Sequence, residues 1–133
     1  MATVVISGYF DPIHVGHLEL IKKARLKGCK KLIVIVNNDL QADLKKAGSV
    51  MNENERCEIL ENIKGVDEVI LSIDKDRSVC KTLANIKPRP DIFANGGDQF
   101  NQTVLESQIC RELNIVMVDR LGKKIQSSSN FYQ

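Results

Sequence analysis

At 133 residues, with 43% apolar and 27% charged residues, the chain has the balance of one folded domain that buries a core without disulfides or a structural metal. A formal net charge of +2 is too small for the basic face of a nucleic-acid binder, and no apolar run approaches the ~18 residues of a membrane span. Four scattered cysteines, Cys29, Cys57, Cys80 and Cys110, form no CxxC pair, so they read as reduced thiols rather than zinc ligands or a disulfide framework. With no signal segment before the first apolar run, the expected setting is the cytoplasm.

That first run, Thr3 to Ser7, predicts a strand. A turn comes next, Gly8-Tyr9-Phe10-Asp11-Pro12, and then the window His14-Val15-Gly16-His17, which holds both histidines of the chain. Leu18, Ile21 and Ala24 form one stripe of a helix predicted over Leu18 to Lys27. The basic cluster Lys22, Lys23, Arg25, Lys27, Lys30 and Lys31 reads as the wet face and exit of that helix. Leu32 to Val36 predicts the second strand. Behind the polar start Asn52-Glu53-Asn54-Glu55, the stretch Arg56 to Asn62 with Ile59, Leu60 and Ile63 predicts another helix. Glu68 to Leu71 is a third strand. Val79, Leu83 and Ile86 stripe a helix that Pro88 and Pro90 stop. Asp91 to Ala94 is a fourth strand, ending in the turn Asn95-Gly96-Gly97-Asp98. Val104, Leu105, Ile109 and Leu113 mark the last helix, and Ile115 to Val118 the last strand.

The strands are continuously apolar rather than alternating, as in a parallel sheet buried on both faces. Strand and helix alternate five times. The predicted architecture is a single α/β domain over 1–133, a Rossmann-like three-layer α/β/α arrangement with a five-stranded parallel sheet. Ligands bind such sheets at the carboxyl ends of the strands, so the motifs just after strands are the candidate site. There, Gly8 suits positive φ and close backbone approach, and Gly16 allows tight packing beside the helix start. The first-turn N–H groups favour an anion, and His14 and His17 can donate hydrogen bonds to phosphate oxygens. The bland alternative is one capping and one packed histidine. Zinc would need a third ligand, for which Asp11 is the nearby choice, so no protein metal site is expected. Ser127 can cap a late helix and grip a phosphate from the opposite side, against the plainer reading of a frayed polar tail. Asn95 to Asp98 also reads as an ordinary turn.

The run from Gly8 to His17 resembles the signature of the HxGH nucleotidylyltransferase superfamily. That group includes glycerol-3-phosphate cytidylyltransferase, the adenylyltransferase part of the heptose-phosphate enzyme and pantetheine-phosphate adenylyltransferase. Asn37-Asn38-Asp39 is similar to the family's loop after the second strand, Glu55-Arg56 to a family helix start, and Val66-Asp67-Glu68-Val69 to its VDEV segment. Lys45 and Lys46 fall where the cytidylyltransferases carry phosphate-binding lysines. Gly96-Gly97-Asp98 is similar to the GGD of the heptose-phosphate adenylyltransferases. Ser127-Ser128-Ser129 sits where the family places a serine-threonine motif. The cytidylyltransferases carry an arginine ahead of that motif; here Lys123 or Lys124 stands in, without the planar fork of arginine.

The resemblance implies transfer of CMP from CTP, or AMP from ATP, to a phosphorylated alcohol or sugar phosphate, with release of pyrophosphate. It makes His14, His17 and Lys45 catalytic. It assigns the nucleotide to Gly8, Tyr9, Phe10, Gly16, Gly97, Asp98, Ser127 and Ser128. Asp11, Lys46, Arg56 and Lys124 are its candidates for the acceptor or for phosphates. Mg2+ is expected bound with the NTP. The expected partners are that NTP and a small phosphorylated acceptor, with no nucleic acid or membrane, and a homodimer is the family's expectation. The attacking phosphate is already an anion at neutral pH, so positioning and charge stabilisation suffice without a strong base. The length favours a cytidylyltransferase and Gly96-Gly97-Asp98 an adenylyltransferase. The rival class is a nucleotide-binding module of the same fold without catalysis, which binds CTP or ATP and releases no pyrophosphate.

Overall fold

The computed structural model describes residues 2–25, 28–45, 49–94 and 100–118, the side chains at 45 and 100–104 excepted. In chain order they form β1 (Ala2–Gly8), α1 (Val15–Arg25), β2 (Cys29–Val36), α2 (Asp39–Lys45), α3 (Glu53–Glu61), β3 (Glu68–Leu71), α4 (Cys80–Ala84), β4 (Ile92–Ala94), α5 (Phe100–Leu113) and β5 (Val116–Val118). All neighbouring strands pair in parallel, in the order β3-β2-β1-β4-β5. The α/β Rossmann-like fold expected from the alternation is the one observed. The chain winds outward from β1 to β3, then crosses back to lay β4 on the other side of β1. Strand order therefore reverses between β1 and β4, where a doubly wound sheet opens its ligand crevice.

The continuous apolar runs are explained by two cores, one on each face. Val4 and Ile6 of β1 and Leu32, Val34 and Val36 of β2 pack with Ile21 and Ala24 of α1 and Leu60 of α3. The intervening residues Val5, Ile33 and Ile35 pack with Leu83 of α4 and Cys110 of α5. Successive side chains leave a strand on opposite faces, so a strand covered on both sides shows no polar alternation. Each fully buried Val, Leu or Ile contributes roughly 1.5–3 kcal/mol, which is enough to hold helices as short as α4 in place.

The helix starts are set by side-chain caps. Asn52 accepts a hydrogen bond from the Glu55 N–H and begins α3. The buried Asp74 carboxylate accepts from the Lys81 and Thr82 N–H groups and from the Thr82 hydroxyl at the start of α4. Helix α2 was not expected from apolar periodicity. Its Leu40 and Leu44 are exposed, whereas Gln41 and Ala42 are fully buried, so it has no apolar stripe. Its signal is a reciprocal cap: the Asn38 Oδ1 accepts from the Gln41 N–H, and the Gln41 Oε1 accepts from the Asn38 N–H. The two amide groups then reach across to the 72–78 segment. Asn38 donates to the Ser72 and Asp74 carbonyls, and Gln41 to those of Asp76 and Ser78. The four cysteines are free thiols. Among the described residues no helix is long and apolar enough to cross a membrane.

Candidate active site

β1 ends at the reversal of strand order, and the chain turns there into α1. Gly8 does not adopt positive φ, contrary to the expectation for it. Its value is its missing side chain: a Cβ at Gly8 would lie 3.2 Å from the Phe10 ring, which folds back over the strand end. Phe10 takes the left-handed conformation instead, at φ 54°. That is unusual for a bulky side chain and costs on the order of 1–3 kcal/mol unless the surroundings hold it. Burial supplies part of the hold, since Phe10 is only 2% exposed and belongs to the α1/α3 core.

His14 and His17 are brought together. Their rings stack with centroids 4.0 Å apart, and the Phe10 ring meets His17 edge-on at 4.8 Å. The His14 Nδ1 accepts the Gly16 N–H at 3.0 Å, and the His17 Nδ1 accepts the His14 N–H at 3.1 Å. His14 thus caps α1 and His17 packs on an aromatic, as the bland alternative expects, while both rings remain at the helix start. An Nδ1 that accepts a backbone N–H places the ring proton of a neutral imidazole on Nε2. Both rings therefore carry an Nε2–H donor. Gly16 is required by this geometry, because a Cβ there would sit 2.8 Å from the His14 Cε1 and 3.0 Å from its Nδ1.

The turn is fastened from the other side by residues expected to touch substrate. The Asp11 carboxylate accepts the Val50 N–H and, at 2.7 Å, the Met51 N–H. Arg56 is wholly buried. Its Nη1 donates to the Tyr9 and Asn37 carbonyls, each at 2.7 Å, its Nε to the Met51 carbonyl at 2.9 Å, and its Nη2 to the Asp39 carboxylate at 2.6 Å. Four of its five N–H donors are so engaged. Arg56 is expected at a phosphate; here its charge is paired with Asp39 and its fork is filled by carbonyl oxygens. Tyr9 and Phe10, expected against the nucleotide, are both buried side chains, and Phe10 underlies His17 instead.

Lys45 ends α2, whose start is tied to the same staple through Asp39; its side chain lies outside the described set. Lys46, Gly97, Asp98, Lys124, Ser127 and Ser128 lie outside the described residues. The residues that periodicity missed are polar ones: the half-buried Asn38 and the buried Gln41, Asp74 and Glu106. Spacing announces the Asn38/Gln41 pair, with an amide acceptor three residues before a glutamine. Nothing in the sequence marks Glu106, which sits inside α5 at 1% exposure and accepts the Val79 N–H at 2.7 Å. Burial pushes its carboxyl up to about 7, with Asp74 and Asp76 adding to the rise.

Among the described residues no group of three His, Cys, Asp or Glu side chains is placed to hold a metal ion.

A cytidylyltransferase-like family model matches residues 5–129. The chain is 41% identical over 106 residues to the FAD synthase of Methanothermus fervidus, covering 77% of this chain and 70% of that one. It is 36% identical over 132 residues to the FAD synthase of Aciduliprofundum boonei, covering 98% and 85%. Among solved structures, the lipopolysaccharide core biosynthesis protein of Thermoplasma volcanium superposes with a TM-score of 0.76 at 33% identity, covering 94% of this chain and 99% of that one.

Proposed function

Because the chain belongs to the cytidylyltransferase-like family of nucleotidyltransferases, we propose that it is an adenylyltransferase that moves AMP from ATP to FMN and releases pyrophosphate, forming FAD. The observation that carries this reading is the stacked pair of His14 and His17 at the start of α1, beside the reversal of strand order. The named activity of the relatives, FAD synthase, supports FMN as acceptor and ATP as donor, in place of CTP and a sugar phosphate.

In this reaction an oxygen of the FMN phosphate attacks the α-phosphorus of ATP. A new P–O bond forms, the bond to the β-phosphate oxygen breaks, and its electron pair leaves with pyrophosphate. The nucleophile is an anion, so no side chain has to remove a proton. Negative charge builds on the α-phosphoryl oxygens and the leaving group. The Nε2–H donors of His14 and His17 answer that charge, and the positive end of α1 adds to them. Mg2+ enters as part of the ATP substrate and neutralises phosphate oxygens. Lys45 adds positive charge for the phosphates, with Lys46 and Lys124 as further cations. Gly97, Asp98, Ser127 and Ser128 are assigned to the nucleotide by the same resemblance, and residues 1–133 act as one catalytic domain.

The test is a grid of ATP, CTP, GTP and UTP against FMN, glycerol phosphate and sugar 1-phosphates. Pyrophosphate release is measured and the flavins are separated by chromatography. ATP with FMN should release pyrophosphate and form FAD in equal amounts. Pyrophosphate from a different pair, with none from ATP and FMN, would overturn the substrate assignment. ATP binding with no pyrophosphate from any pair would favour the non-catalytic module.

A further inference from the structure

We propose that Arg56 is a positioning residue for His17, acting through the Tyr9–Phe10 turn, and that it does not contact phosphate. Its guanidinium is completely buried, and its donors are committed to three backbone carbonyls and the Asp39 carboxylate. Two of those carbonyls, of Tyr9 and Asn37, lie just past the ends of β1 and β2. A third, of Met51, belongs to the segment that Asp11 grips through the Val50 and Met51 N–H groups. One side chain thus ties together both strand ends and the segment before α3.

The tie matters for chemistry because Phe10 comes directly after Tyr9. Holding the Tyr9 carbonyl fixes the peptide that leads into Phe10, the residue in left-handed backbone. Such a conformation persists in a bulky residue only where its neighbours impose it. The Phe10 ring, so placed, sets the edge on which His17 rests, and His17 in turn stacks on His14. The relay runs from the Arg56 fork to a carbonyl, a strained turn, one aromatic ring and two imidazoles. Lysine cannot replace the fork, since a single ammonium has no planar set of donors for carbonyls in different directions.

The test compares Arg56→Lys, Phe10→Leu and the double variant. These kinetics rest on the adenylyl transfer proposed above. A second arm needs no substrate: the ring C–H resonances of the chain's two histidines in a carbon–proton spectrum. Each single variant should move the His17 resonances. It should lower kcat, on the order of 10²-fold for a displacement near 1 Å, while KM for ATP and FMN changes far less. The double variant should lose little more than either single one, because both break the same relay. A raised KM with kcat preserved would return Arg56 to the phosphates and overturn the proposal. Unmoved His17 resonances in folded Arg56→Lys would overturn it as well. If Arg56→Lys does not fold, Phe10→Leu decides, and unmoved His17 resonances there overturn the relay. Should no acceptor support turnover, the proposed function fails and the histidine spectra alone decide this inference.

Discussion

Replacing Gly16 with alanine separates stability from activity in a direction set by one contact. The new Cβ would stand 2.8 Å from the His14 Cε1, whereas an ordinary contact begins at 3.4 Å. The imidazole must retreat by about 0.6 Å, and it loses the aligned hydrogen bond from the residue-16 N–H that holds its Nδ1. His14 is exposed, so it has room to move at little cost to the fold. Alanine is the better helix former by up to about 1 kcal/mol, which offsets the lost cap. Stability should therefore stay within about 1 kcal/mol of the parent. Turnover should fall by roughly 10- to 100-fold, since misplacements approaching 1 Å at a reacting centre cost on that order. Denaturant melts and steady-state pyrophosphate release measure the two. A folded Gly16→Ala protein with parental kcat would refute the claim that the His14 position matters to the reaction.

Other substitutions test other parts of the account. Glu106→Gln keeps an acceptor for the Val79 N–H and removes the titration. The carboxyl is raised from 4.5 to about 7, so the folded protein holds a proton that the unfolded chain releases across that range. Parent stability should fall as pH rises from about 4.5 and level off above about 7, with a total on the order of 3 kcal/mol. Glu106→Gln should show no such fall, and equal melts of the two proteins near pH 8 would contradict this. Asp67 is the opposite case. The Leu32 N–H, with help from Arg25, holds its carboxyl below the ordinary value, so its stabilisation is present at neutral pH and lost as pH falls through the folded value. Asp67→Asn should be less stable than the parent at pH 7 and equal to it in strong acid, as read by thermal melts. His14→Ala and His17→Ala should each reduce kcat by on the order of 10²–10³-fold with native circular dichroism.

The strands and their order of burial were readable because β1 and β2 are apolar on both faces: Val4, Val5 and Ile6 are all buried, with Val5 facing opposite to its neighbours. The position of the histidines was readable for the same reason, since a parallel sheet puts the turn after β1 at its functional edge. Periodicity failed where polar side chains do the packing. Helix α2 buries a glutamine and exposes its leucines, so a hydrophobic stripe is the wrong signal for it. Arg56 read as an acceptor or phosphate ligand, because no local pattern announces three carbonyls converging from Tyr9, Asn37 and Met51, up to 47 residues away. Gly8 read as a backbone needing freedom, when the constraint is the Phe10 ring two residues on. In each case the missing information is a tertiary contact, and in the last two it serves the same turn.

Transfer of AMP moves the α-phosphorus of ATP into the flavin product, and labelled ATP follows that atom. With ATP carrying phosphorus label at the α position, incubation with FMN should place the label in FAD; with label at the γ position, all of it should leave in pyrophosphate. His17→Ala should slow both to the same extent. Label from the γ position in a flavin product, or no label from the α position in any flavin, would contradict the account.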